Sequence, residues 1–259
     1  MAAPADVYYD PYDVDINADP YPAFRRLREQ APVYYNEPHD FWAVSLADDV
    51  ERALTDRTIF SNARSDVLEF IKAGIEFPSG ILIFEDPPRH TIHRGLLSKI
   101  FTPRRIAALE PQIREFCARS LDPLVGSGDF DFVHDLGAPM PMLVTGMLVG
   151  IPESQQQELR DKSVSSIATE PGQAMDSIDT LGGEMFSEYF DWRARNPGDD
   201  IMTELQIVEF DDLNGVTRKL TREEILTYIA IVAGAGNEST TKLIGWAGKV
   251  LGEHPDQRA

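Results

Sequence analysis

Apolar residues recur at helical spacing through most of this chain, and aromatic or β-branched runs suited to strands are few. Residues 20–30 read as a short helix. Residues 32–37 and 41–46 are strand-like runs split by a turn with Pro38 and Asp40, which predicts a small hairpin. Residues 47–55 read as helical. A loop-rich stretch over 61–86 follows, with a short helix at 66–72. Beyond it helical patterns dominate, at 89–101, 104–125, 141–149, 153–168, 173–195, 200–207 and 222–252. The polar segment 209–219 holds Asn214-Gly215, a turn pair that predicts a second hairpin. The run 136–151 is nearly all apolar, but it is short and carries Pro139 and Pro141, so it reads as a buried helix and not as a membrane span. The pattern predicts a mainly α fold with a small β part.

Two of these helices carry residues that packing does not explain. Asp86-Pro87-Pro88 reads as a helix start, with Asp86 as an N-cap and prolines whose fixed φ suits the first turn. Ile92, Leu96, Leu97, Ile100 and Phe101 then form the expected buried stripe. His90 and Arg94, four apart, project from one flank, where two donors can converge on one anionic group. Between 88 and 119 stand Arg89, Arg94, Lys99, Arg104, Arg105, Arg114 and Arg119 against Glu110 and Glu115, a basic face that taken alone also suits a solvated helix. His90 and His93 lack a third ligand and an HExxH pattern, which sets a metal pair aside.

The second helix starts at a capping box, Thr221-Arg222-Glu223-Glu224. Its apolar residues, from Ile225 to Leu251, cover nearly the whole circumference, which predicts a helix running through the core. Its middle reads Ala233-Gly234-Ala235-Gly236-Asn237-Glu238-Ser239-Thr240-Thr241. Each glycine costs about 1 kcal/mol in a helix interior. Small residues let a flat group or another backbone approach, and a hydroxyl bonded to the preceding turn can open the helix to water beside an acid. Close helix packing with Glu238 paired to a core cation is the plainer account of the same residues.

Charge and composition narrow the function. Forty-three acidic against 24 basic residues give a net charge of -19 over 259 residues, which disfavours nucleic acid and anionic lipid as partners. No window has the roughly 18 consecutive apolar residues of a membrane span, and the start lacks the order of a signal peptide, so a cytoplasmic location is expected. The single cysteine, Cys117, excludes an internal disulfide framework and a multi-cysteine zinc site, and its helical surroundings suit a packed thiol.

Asp86-Pro87-Pro88-Arg89-His90-Thr91-Ile92-His93-Arg94, continuing through Ser98-Lys99-Ile100-Phe101-Thr102-Pro103-Arg104-Arg105, resembles the third-helix signature of soluble bacterial cytochromes P-450. Ala235-Gly236-Asn237-Glu238-Ser239-Thr240 resembles that family's central-helix motif, with Ser239 where the family usually has Thr. The resemblance extends over essentially all 259 residues as one partial domain of the cytochrome P-450 fold, truncated after the long central helix. It implies a haem b cofactor, with His90 and Arg94 on the propionates and Ala235 and Gly236 letting the helix pass close over the ring. Glu238 and Ser239 would deliver protons during dioxygen activation. Leu82, Ile83, Ile231 and Val232, with the 68–83 loop and the 166–173 turn, would contact a small hydrophobic substrate. The basic face would dock a ferredoxin-type electron donor.

The family's cysteine-bearing loop and the Glu-x-x-Arg helix before it do not occur in this sequence, and no residue is assigned as an iron ligand. The expected activity is therefore that of a monooxygenase of which this chain is a part, with the isolated chain inactive. The alternative is a haem-free remnant that binds ligands or partners without catalysis.

Overall fold

The amino-terminal part is built on the first predicted hairpin. In this computed structural model, which describes residues 7–77, 80–156 and 183–258, α1 is Val14–Ala18 and α2 is Tyr21–Gln30. Strands β1 (Val33–Asn36) and β2 (Phe41–Val44) pair antiparallel, with Tyr34 opposite Ala43 and Tyr35 opposite Trp42. Val7, Leu27, Ala31 and Tyr34 close a small apolar cluster of their own. Helices α3 (Ala47–Thr55) and α4 (Leu68–Ala73) follow. Gly74, at φ +64, ends α4 in the left-handed conformation that glycine adopts without strain.

The helical body starts with α5 (Arg89–Ile100). The single helix expected over 104–125 is divided into α6 (Pro103–Ala108) and α7 (Glu110–Leu121). Thr102 caps α6 through a bond from the Arg105 N–H, and Pro111, which has no donor and crowds the preceding turn, is accommodated in the first turn of a new helix. A π-helical turn at Val133–Gly137 is marked by the Ala138 N–H donating to the Val133 carbonyl at 2.8 Å. Helix α8 (Pro139–Val149) stops at Gly150, φ +93.

After the undescribed segment, α9 is Ser187–Arg195 and α10 is Ile201–Ile207. Only residues 153–156 of the helix expected over 153–168, and only the last part of that expected over 173–195, lie among the described residues. Strands β3 (Glu209–Asp211) and β4 (Thr217–Lys219) form the second hairpin, turning at Gly215, φ +72. Helix α11, Arg222–Glu253, carries the expected capping box in full.

The main core joins α5, α8, α10 and α11. Val149, Met202, Leu205, Leu226 and Ile229 are fully buried in it, and each such side chain stabilises the fold by roughly 1.5–3 kcal/mol. Helix α11 is not buried along its whole length as its apolar circumference predicts. Its first turns are buried, whereas Leu243, Trp246, Val250 and Leu251 on its second half are 40–68 % exposed. Among the described residues no helix is long and apolar enough to cross a membrane.

Candidate functional site

Helix α5 does not start as Asp86 suggested. The Asp86 carboxylate accepts from Ser61 Oγ at 2.5 Å and from the Asn62 N–H at 3.1 Å, tying the helix entry to the 61–62 loop, while its carbonyl takes the His90 N–H. The buried stripe is also shifted: His93, Leu96 and Ile100 are buried, Ile92 and Leu97 are half-buried, and Phe101 is 37 % exposed. His90 is half-buried and Arg94 exposed on the flank away from that stripe. Among the described residues neither side chain has a hydrogen-bond or ion-pair partner.

On α11, Ser239 Oγ donates to the Ala235 carbonyl at 3.2 Å, the back-bond expected of a hydroxyl in a helix interior. The small residues face two ways. A Cβ at Gly236 would meet Thr145 Oγ1 of α8 at 2.6 Å, so this glycine lets the two helices approach. A Cβ at Gly234 would meet nothing within 4 Å among the described residues, and Ala235 beside it is exposed. Asn237 Oδ1 is buried without a partner among the described residues. The Glu238 side chain and the 166–173 turn lie outside the described residues.

Of the residues expected to meet substrate, Leu82 is 4 % exposed within the main core, Ile83 is 43 % exposed, and Ile231 and Val232 are half-buried on α11, Val232 packing against the core. Cavities of about 430 and 290 Å³ lie elsewhere, one beside Phe116, Gly150 and Trp192, the other beside Phe101, Arg105 and Leu109. The basic face is partly neutralised: Arg105 pairs with Glu204 and Asp199, Arg114 with Glu110, and Arg119 with Glu153. Arg89, Lys99 and Arg104 are exposed and form no ion pair among the described residues.

A buried polar cluster was not read from the sequence. Glu85 Oε2 lies 2.6 Å from His93 Nδ1, and its Oε1 accepts the Gly80 N–H at 2.9 Å. Burial pushes the Glu85 carboxyl up, but the bonds from His93 and Gly80 outweigh it and hold the group below its ordinary value. The same balance, with Arg218 and the Thr221 N–H as donors, lowers Glu224. Burial, followed by the charges of Glu85 and Glu224, raises the Tyr228 phenol, whose hydroxyl has no partner among the described residues. The available signal was spacing: His93 stands three and seven before Leu96 and Ile100, on the apolar face.

Two donors one helical turn apart suit a doubly anionic group. His90 and Arg94 offer two unpaired donors one helical turn apart, and Gly234-Ala235 leaves an open small-residue face on α11. Both helices pack on one core, through Ile92 and Leu96 on one side and Ile229 and Val232 on the other. Cys117 is half-buried on α7. Among the described residues no group of three or more His, Cys, Asp or Glu could hold a metal ion.

The chain belongs to the cytochrome P-450 superfamily. It is 35 % identical over 260 residues to a putative cytochrome P450 123 of Mycobacterium tuberculosis, with 98 % of this chain and 63 % of that protein covered. A putative cytochrome P450 of Bacillus subtilis, YjiB, is 29 % identical over 87 % of this chain and 56 % of its own length. Among solved structures, cytochrome P450 CYP109Q5 from Chondromyces apiculatus superposes with a TM-score of 0.76 at 31 % identity, covering 95 % of this chain and 61 % of that one. CYP109E1 from Bacillus megaterium, solved in complex with testosterone, gives 0.74 at 28 % identity, covering 92 % and 62 %. The chain thus spans about three-fifths of the length of these relatives. No family model matches it.

Proposed function

We propose that these 259 residues are one partial domain of a haem-dependent monooxygenase that hydroxylates a small hydrophobic molecule in the cytoplasm, using dioxygen and electrons from a redox protein. The observation that carries this reading is the pair of donors on α5, His90 and Arg94, which have no partner among the described residues, on a helix that shares one apolar core with α11, whose Gly234 and Ala235 leave a small-residue face open.

In this reading His90 and Arg94 donate charge-assisted hydrogen bonds to the two haem propionates. Ala235 would let the ring approach α11 as expected, whereas Gly236, expected beside it there, instead meets Thr145 of α8, and Gly234 is the glycine that leaves open space. Bound haem supplies the oxidising chemistry. Ser239 holds a proton at Oγ, positioned by its bond to the Ala235 carbonyl, and passes it toward the ring face with Glu238 as the acid that replenishes it. The Ser239 hydroxyl lacks the methyl that would restrict its rotamer, so its proton delivery is less well oriented than that of a threonine. Ile83, Ile231 and Val232 face the substrate, and Leu82 supports the loop from the core. The apolar character of these residues, and the testosterone bound by CYP109E1, support a hydrophobic substrate. Arg89, Lys99 and Arg104 form the docking patch for an acidic ferredoxin-type donor. No iron-ligand role is assigned to Cys117, and the isolated 259-residue chain is expected not to turn over.

Haem retention tests the reading. The full-length protein should bind haem one to one, and His90→Leu with Arg94→Leu should weaken retention by about two orders of magnitude, the loss of two charge-assisted bonds at roughly 1.5 kcal/mol each. Equal retention by the double variant would remove both residues from the site.

A further inference from the structure

The 80–85 loop is held by directional bonds where apolar contact alone would bury it. Ile81, Leu82 and Phe84 are 2–7 % exposed. Gly80 sits at φ +107, a conformation that favours glycine, and a Cβ there would lie 3.6 Å from Glu224 Cγ on α11. One carboxylate then closes the loop on itself and on α5: Glu85 takes the Gly80 N–H with one oxygen and faces His93 with the other, both Glu85 and His93 side chains being 5 % exposed. The rings of Phe210 and Tyr228 stand edge-on to His93 at 6.3 and 6.0 Å. Arg218 of β4 makes two 2.8 Å bonds to Glu224 alongside.

Burying a carboxylate and an imidazole is a weak way to gain stability, because an apolar pair of the same volume commonly does as well. The pair supplies direction: the Glu85–His93 bond sets the loop's distance and angle relative to α5, and the bond from the Gly80 N–H fixes the loop's own shape around that carboxylate, both of which apolar packing leaves adjustable. The loop so fixed presents Ile83 outward, and the helix it is fixed to carries His90 and Arg94 on its other flank.

We propose that the buried Glu85–His93 pair is a positioning device that sets the height of the Ile83 loop over the haem-binding helix, and so selects which substrates fit. This rests on the functional reading above. Glu85 and His93 act through the loop and touch neither substrate nor haem.

The test uses the full-length holoenzyme with the variants Glu85→Gln and Glu85→Leu/His93→Leu, read by haem content, melting temperature, hydrogen exchange and testosterone affinity. Glu85→Gln can still accept from Gly80 and donate to His93, and should keep wild-type exchange. The double variant refills the space without charge. It should keep its haem and melting temperature, exchange the amides of residues 80–84 about tenfold faster, and change its testosterone affinity by about tenfold. Wild-type exchange or wild-type testosterone affinity in a haem-replete double variant would overturn the proposal. Absence of haem from the wild-type protein would instead overturn the functional reading, with the exchange comparison still reporting on the loop.

Discussion

Two glycines two residues apart in α11 should respond to the same substitution in opposite senses. In a helix interior alanine is favoured over glycine by about 1 kcal/mol. At Gly234 nothing lies within 4 Å of the added methyl, so Gly234→Ala should gain about that much. At Gly236 the methyl would meet Thr145 Oγ1 at 2.6 Å and Cγ2 at 3.2 Å. Thr145 is 7 % exposed, and because both γ atoms face Gly236 every χ1 rotamer keeps at least one of them on that side. Overpacking of this kind costs about 1–3 kcal/mol, which offsets or exceeds the propensity gain. The two variants should therefore differ by about 1–3 kcal/mol, with Gly236→Ala the weaker. Thr145→Ala removes both γ atoms and leaves a contact of 3.5 Å, so the pair Thr145→Ala/Gly236→Ala should show a favourable coupling of similar size. Urea unfolding midpoints at constant slope read the wild type and the four variants. Equal midpoints for Gly234→Ala and Gly236→Ala, or no coupling with Thr145, would refute the assigned contact between α8 and α11.

Three further outcomes follow from buried polar groups. Tyr228→Phe removes a hydroxyl that has no partner among the described residues at a fully buried position and should raise the melting temperature, a gain of up to about 1–2 kcal/mol; a fall would mean the hydroxyl is satisfied. Arg193→Ala leaves Asp200, 5 % exposed and 2.9 Å from Arg193 Nε, buried without its cation, and should cost about 3–5 kcal/mol in thermal unfolding; an unchanged melting temperature contradicts this. Glu85 and Glu224 have carboxyls held below the ordinary 4.5, so their contribution is complete above that value and is lost as pH falls through their lower folded values. Urea midpoints should accordingly drop as pH falls below the ordinary carboxylate range, and less steeply in Arg218→Met, which removes the main donor to Glu224.

Much of the fold was legible because local chemistry and tertiary structure agree. The aromatic runs around Pro38 and Asp40 form the first hairpin, Asn214-Gly215 turns the second, and Thr221 with Glu224 caps α11. Where they compete, the sequence misled. Asp86 has the chemistry of a cap, but its carboxylate is taken by the 61–62 loop, whose proximity no local pattern encodes. Pro111 divides a helix that apolar spacing alone reads as continuous. The basic face seemed larger than it is because Arg105 meets Glu204, and Arg119 meets Glu153, across long stretches of chain. His90 and Arg94 were read correctly as sharing one flank of a helix, since that follows from four-residue spacing. His93 is weighed in the sequence only as a metal ligand with His90, because a histidine on an apolar stripe identifies no other partner until Glu85 is brought beside it.

The most direct test of the haem assignment is a native mass spectrum of the protein isolated from its source under conditions that retain non-covalent ligands. The account predicts a polypeptide accompanied by the mass of one haem, held about a hundredfold more weakly when His90 and Arg94 are both replaced by leucine. A polypeptide that carries no haem, or one that keeps it equally well without those two side chains, would contradict it.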